Sequence, residues 1–123
     1  MNSNKQKNVW LVGASFGLGY DAAVKYHNEG WNVIVTGRSE DKLNAMQTQY
    51  ENMSACVMDL LDQTSVDKAI AQVFNKNIDL IILNAGDYEL TPSLENNYDT
   101  FYKIMNINFL AHVHLINKSV SYL

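Results

Sequence analysis

The chain has 123 residues, of which 47% are hydrophobic and 18% charged, enough for one core and too few for two. That composition excludes a disordered tail, which would lack the apolar surface to offset its ordering entropy. Thirteen acidic against nine basic side chains give a net charge of −4, which argues against a broad surface tracking the phosphates of DNA or RNA. Any anion must be held locally. Even the longest strictly apolar runs, such as Leu80-Ile81-Ile82-Leu83, are far short of the ~18 residues that cross a bilayer, so no membrane segment is expected. Cys56 stands alone and cannot form an internal disulfide, and the polar start Met1-Asn2-Ser3-Asn4-Lys5 lacks the apolar core of a secretory signal. A reducing cytoplasm is the expected setting, with Cys56 an inert strand residue.

Along the chain, short β-branched runs alternate with stretches whose apolar residues fall three or four apart, the rhythm of a βαβα protein. Val9-Trp10-Leu11-Val12 predicts the first strand. Leu18, Ala22 and Tyr26 mark one apolar side of the first helix, and Gly30 can take the left-handed conformation that ends it. The run from Trp31 to Thr36 predicts the second strand, after which Ser39 can cap a helix carrying Leu43, Met46 and Tyr50. Ala55-Cys56-Val57-Met58 predicts the third strand, with Thr64 as the cap of a helix carrying Val66, Ile70, Val73 and Phe74. The fourth strand is Leu80 to Leu83. Such runs read as buried on both faces, which suits a parallel sheet covered by helices. The only proline, Pro92, lies in the loop-like stretch 87–93.

From about Asn97 to the end the pattern is helical, and ~26 residues at 1.5 Å each would reach ~39 Å. At 100° per residue, one half of its circumference holds Phe101, Tyr102, Ile104, Met105, Asn108, Phe109, His112, Val113, Leu115 and Ile116. An arc this wide exceeds one sheet contact. Two explanations stay open: a deeply seated core helix, or a face turned to a second subunit or to further chain, in which case the protein associates through this helix.

The residues that carry chemistry sit where the strands end. The first strand runs into Gly13-Ala14-Ser15-Phe16-Gly17-Leu18-Gly19, a glycine turn that opens a helix. Without Cβ atoms the backbone can bend sharply, let a pyrophosphate approach and pack helix against strand, while the helix start offers free N–H groups to the phosphates. The second strand ends in Thr36-Gly37-Arg38-Ser39, with no acid until Glu40. A carboxylate there would bind a free ribose 2′-hydroxyl; Arg38 instead offers a guanidinium suited to a 2′-phosphate, favouring NADP(H) over NAD(H), unless it only points to solvent. Asp59 and Leu60 follow the third strand, able to meet an adenine amino group and ring, although Asp59 could equally cap a helix. Asn84-Ala85-Gly86 follows the fourth, two small residues beside an amide that can tie neighbouring backbones together.

Gly13-x-x-x-Gly17-x-Gly19, Asp59-Leu60, Asn84-Ala85-Gly86 and Asn108, in that order, resemble the cofactor half of the short-chain dehydrogenase/reductase family, from about Val9 to the end. The resemblance implies an α/β fold, a Rossmann-type doubly wound parallel sheet with strand order 3-2-1-4 in this portion. It implies NADP as cofactor, with NAD an alternative, and hydride transfer between nicotinamide and a small carbonyl or alcohol substrate. By position, Gly13, Ser15, Phe16, Gly17, Leu18 and Gly19 would surround the pyrophosphate and adenosine ribose, Arg38 the 2′-phosphate, and Asp59 and Leu60 the adenine. Asn84, Ala85 and Gly86 would border the nicotinamide. Asn108 would be the catalytic asparagine that helps hold a water in the proton relay; Asn106 competes, but Asn108 falls within the apolar half of the wheel and is expected to be a buried amide.

There are departures. Val12 stands where the family usually has threonine, and Leu83 where it often has a first asparagine, so a bond between the first and fourth turns is in doubt. Phe16 occupies a place that is often basic in NADP-dependent members. No tyrosine here is followed four residues later by lysine, the pair that carries proton transfer in the family. The expected reading is therefore the first half of a longer enzyme, these residues being inactive alone. The alternative is a non-catalytic dinucleotide-binding module. No metal site is expected, because His112 and His114 lie about 200° apart on a helix and cannot share an ion. A triphosphate loop would need Gly-Lys-Ser/Thr, and Gly19-Tyr20-Asp21 is not that.

Overall fold

The computed structural model describes residues 5–86 and 98–123; Pro92, its loop and Asn97 lie outside them. Four parallel strands, β1 (Asn8–Val12), β2 (Asn32–Gly37), β3 (Met53–Val57) and β4 (Leu80–Leu83), form one sheet in the order β3-β2-β1-β4. Each predicted strand is present, three with shifted ends. β1 and β2 are the central pair, in register from Asn8 against Asn32 to Val12 against Thr36. Only these two are buried nearly throughout. β3 and β4 lie at the sheet's edges and are half-buried along much of their length, because each has a hydrogen-bonded neighbour on one side only.

Three helices connect the strands: α1 (Gly17–Asn28), α2 (Glu40–Gln49) and α3 (Gln63–Val73). Alternation along β1 sorts the core into two layers. Val9 and Leu11 point with Val33 and Val35 to one face, where Ala23, Leu43 and Met46 cover them. Trp10 and Val12 point to the other, against Val66, Ile70, Val73, Ala111 and Leu115. Burying each large side chain contributes roughly 1.5–3 kcal/mol. The Trp10 indole N–H, which would be costly to bury alone, donates to Thr36 Oγ1 at 2.8 Å.

Gly30 follows α1 with φ +95°, donating to His27 O, and Ser39 Oγ accepts from Lys42 N–H at the start of α2. Thr64 is not the cap of α3. Asp62 takes that place, its Oδ1 accepting from both Thr64 and Ser65 N–H, so the helix begins earlier and Thr64 lies inside its first turn. Leu18 does not face the sheet either; it is 80% exposed, and Ala23 and Gly19 make the buried side of α1.

The long terminal helix is not one α-helix. It runs as α4 (Tyr98–Met105), a π segment (Asn106–Leu110), α5 (Ala111–Ser119) and a final 3₁₀ turn (Val120–Tyr122). Ala111 N–H bonds to Asn106 O, five residues back. A π turn holds more residues than an α turn and shifts the phase of everything beyond it. The buried line is consequently Ile107, Ala111, Leu115 and Ser119, four apart throughout, and of the arc expected from a uniform wheel only Leu115 is fully covered. Tyr98, Phe101, Tyr102, Met105, Phe109, Val113, Ile116 and Val120 are exposed along the other side.

Candidate functional site at the carboxyl ends of the strands

The chain order turns back between β1 and β4: β1 leads to β2 on one side, and β4 lies on the other. In open α/β sheets the crevice for a ligand lies outside the carboxyl ends at such a reversal. Here a cleft of about 350 Å³ opens there. Its walls hold Gly13, Ser15, Phe16, Gly17, Leu18, Arg38, Asp59, Leu60, Asn84, Ala85 and Gly86, together with Val12, Thr36, Gly37, Met58 and Ile107. Of the residues singled out from sequence, Gly19 and Asn108 are not on the cleft wall.

The glycine turn is fastened from beneath. Gly13 and Ala14 N–H both donate to Thr36 O, at 2.8 and 3.0 Å, joining it to the end of β2. Asn84 N–H donates to Val12 O at 2.8 Å, and its Nδ2 donates to Gly13 O at 3.2 Å. The tie between the first and fourth turns thus exists despite Val12 and Leu83, with Asn84 making it. Gly19 packs against this tie: a Cβ on it would overlap Gly13 O and meet Asn84 Nδ2 at 2.8 Å. Only glycine lets α1 approach the turn so closely.

Gly17 has a different reason. Its φ is +62°, a conformation that side chains rarely adopt, and nothing lies within 4 Å of where its Cβ would point. The turn therefore presents bare backbone to open space at the first residue of α1, where helix N–H groups have no intrahelical partner. Phe16 and Leu18 flank it, 71% and 80% exposed. The arrangement fits a diphosphate: N–H donors, a helix start and no side chain in the way.

Around the rim, Arg38 follows β2 directly and is exposed. Ser15 Oγ comes within 3.3 Å of where a Cβ on Gly37 would lie, so the glycine turn and the end of β2 are in close contact. Asp59 Oδ1 accepts from Leu61 N–H at 3.0 Å and Asp59 N–H donates to Ser65 Oγ at 2.9 Å; the residue holds its own turn and leaves the capping of α3 to Asp62. Leu60 is largely buried in the core while still forming part of the wall. Among the described residues, Arg38 and Asp59 are the only charged ones on that wall.

On the fourth side, the π segment brings the long helix against the turn after β4. Asn108 Oδ1 lies 2.9 Å from where a Cβ on Gly86 would be, at the edge of the cleft. Asn108 is exposed in this chain, contrary to the buried amide expected from the wheel, because the π turn rotates Ile107 inward in its place. Ile107 and His112 are contributors that the sequence reading missed. His112 Nε2 donates to Ala85 O at 2.7 Å, and its buried Nδ1 has no partner among the described residues. A histidine four residues after Asn108 was the available signal. No group of three or more metal-ligating side chains occurs among the described residues. Cys56 is buried beneath the site, and burial pushes its thiol pKa up, against a smaller downward pull from Thr36.

Fold and cleft together define a Rossmann-type α/β protein with its crevice at the strand ends. The chain belongs to the short chain dehydrogenase family, whose sequence model matches residues 7–123. Among its relatives are a dehydrogenase/reductase SDR family member 7 of Mus musculus, 28% identical over 118 residues covering 87% of this chain and 35% of that protein. Another is a glucose 1-dehydrogenase of Gluconobacter oxydans, 28% identical over 109 residues covering 83% of this chain and 41% of that one. Solved folds agree. An actinorhodin polyketide ketoreductase variant with NADPH superposes with a TM-score of 0.88 at 17% identity, covering 99% of this chain and 49% of that chain. A dehydrogenase/reductase of Sinorhizobium meliloti superposes at 0.87 and 23% identity, covering 95% and 49%. The chain thus spans about half the length of the solved proteins it matches. No helix among the described residues is long and apolar enough to cross a membrane.

Proposed function

We propose that this chain is the cofactor-binding half of an NADP(H)-dependent oxidoreductase that moves a hydride between nicotinamide and a small carbonyl or alcohol. The observation that carries the reading is the cleft itself: bare backbone at Gly17 on one wall and Arg38 on the next, with no acid at the end of β2 before Glu40. The glycine turn would hold the diphosphate by N–H donation. Arg38 would pair with a 2′-phosphate, and Asp59 would accept from the adenine amino group while Leu60 packs on its ring. Ala85 and Gly86 would border the nicotinamide, held at depth by Asn84 from one side and His112 from the other. The bound nicotinamide would give or take the hydride. Asn108, beside Gly86, would hold a water for the proton relay.

No Tyr-x-x-x-Lys occurs in these 123 residues, so their share of the work is to bind and orient, and proton transfer would fall to residues outside them. That same lack favours a second reading, a dinucleotide-binding module without turnover. Calorimetric titration with NADPH and NADH tests the binding claim, with tighter NADPH binding expected and equal binding against it. Carbonyl-dependent NADPH oxidation by the protein produced from its full reading frame separates the enzyme from the module.

A further inference from the structure

Resting on the reading of the cleft as an NADP(H) site, we propose that Lys42, seated over the ring of Phe16, is a second cation for the 2′-phosphate and shares with Arg38 the choice of cofactor. Lys42 lies in the first turn of α2, and its backbone position is set by the cap, since its N–H donates to Ser39 Oγ. From there the side chain reaches across to the glycine turn, with Nζ 5.5 Å from the Phe16 ring centroid. An ammonium over an aromatic face is drawn there by the ring's quadrupole. No carboxylate of the described residues lies within ion-pair distance of Nζ, although Glu40 and Asp41 are close in sequence.

Phe16 is otherwise hard to account for. It is a large apolar ring, 71% exposed, on the wall of the cleft. As a platform that holds a cation beside the β2–α2 connection, it has a use. Arg38 stands four residues earlier, directly after β2, and shares the cleft wall with Phe16. A phosphate monoester carries close to two negative charges at neutral pH. One guanidinium leaves part of that charge uncompensated, and the two acids in the first turn of α2 add to the need for a second cation.

The test compares 2′,5′-ADP with 5′-AMP, which differ only in the 2′-phosphate and require nothing from the nicotinamide side. In calorimetric titrations, Lys42→Met should weaken 2′,5′-ADP about fivefold, the scale of one partly screened charge-assisted contact, and leave 5′-AMP unchanged. Phe16→Leu, which keeps the turn apolar but removes the platform, should weaken 2′,5′-ADP about twofold. The double variant with Arg38→Met should bring the two ligands to equal affinity. If Lys42→Met leaves 2′,5′-ADP unchanged, or weakens both nucleotides equally, while Arg38→Met lowers 2′,5′-ADP alone, the role of Lys42 is overturned and the NADP(H) reading stands. If neither variant changes the ratio of the two affinities, the NADP(H) reading falls as well.

Discussion

The two ends of the same four strands are built on opposite plans. At the amino end, side chains seal the sheet: Asn8 Nδ2 donates to Asn77 O at 2.7 Å, Asn32 Nδ2 donates to Asn8 Oδ1 at 2.9 Å, and Asn8 N–H donates to Asp79 Oδ2 at 2.8 Å. At the carboxyl end the links are mostly backbone, from Gly13 and Ala14 to Thr36 O and from Asn84 to Val12 O. A side chain that satisfies its neighbours leaves nothing for a ligand. The carboxyl end keeps N–H groups and space free, whereas the amino end spends its polar groups on holding the strands in register.

Substitutions at the two ends should separate binding from stability. The largest effect is expected at Gly17→Val, where a β-branched residue at φ +62° would both strain the turn and fill the approach to its amides; nucleotide affinity should fall about a hundredfold by calorimetry. Next, Asn8→Ala should lower unfolding free energy by about 1–2 kcal/mol in urea denaturation while NADPH affinity stays unchanged, since two side-chain bonds are lost far from the cleft. Arg38→Ala should do the reverse, reducing the preference for NADPH over NADH by about 1–2 kcal/mol with no change in the urea midpoint.

Smaller effects sharpen the contrast. Asp62→Ala removes the acceptor at the start of α3 and should lower stability by about 1 kcal/mol, whereas Thr64→Ala should change it by only a few tenths. Cys56 should resist alkylation at neutral pH until the chain is unfolded. Its raised pKa means that the folded state holds the thiol proton more tightly than the unfolded chain. The corresponding stabilisation is present below the ordinary thiol pKa and is lost as pH rises through the raised value, so the alkaline fall in the urea midpoint should be smaller in Cys56→Ala than in the parent chain.

Much of the fold was legible because its signals are local. The run Leu80 to Leu83 became β4 without change, and Ser39 caps α2 as its residue type suggests. The glycine spacing located the turn, and three strand ends gave Arg38, Asp59 and Asn84, all of which line the cleft. Thr64 misled because two plausible caps stand two residues apart, and only the path of the chain out of the Asp59 turn decides between them. Leu18 misled for another reason: its spacing fits an apolar helix face, but the first turn of α1 overhangs the cleft rather than the sheet.

The sequence alone determined the order of elements, the parallel sheet and the residue types at each strand's carboxyl end, since these follow from periodicity, chirality and the steric demands of a glycine turn. Only the tertiary structure decided which contacts those residues make. The π segment turns Ile107 into the wall and sets Asn108 beside Gly86, Asn84 bridges to Gly13, His112 bonds to Ala85 O, and Lys42 comes to rest over Phe16. Each of these joins elements that are distant along the chain or depends on the phase of a helix that departs from 3.6 residues per turn. No pattern read along one segment carries that information, because it arises when separate segments pack.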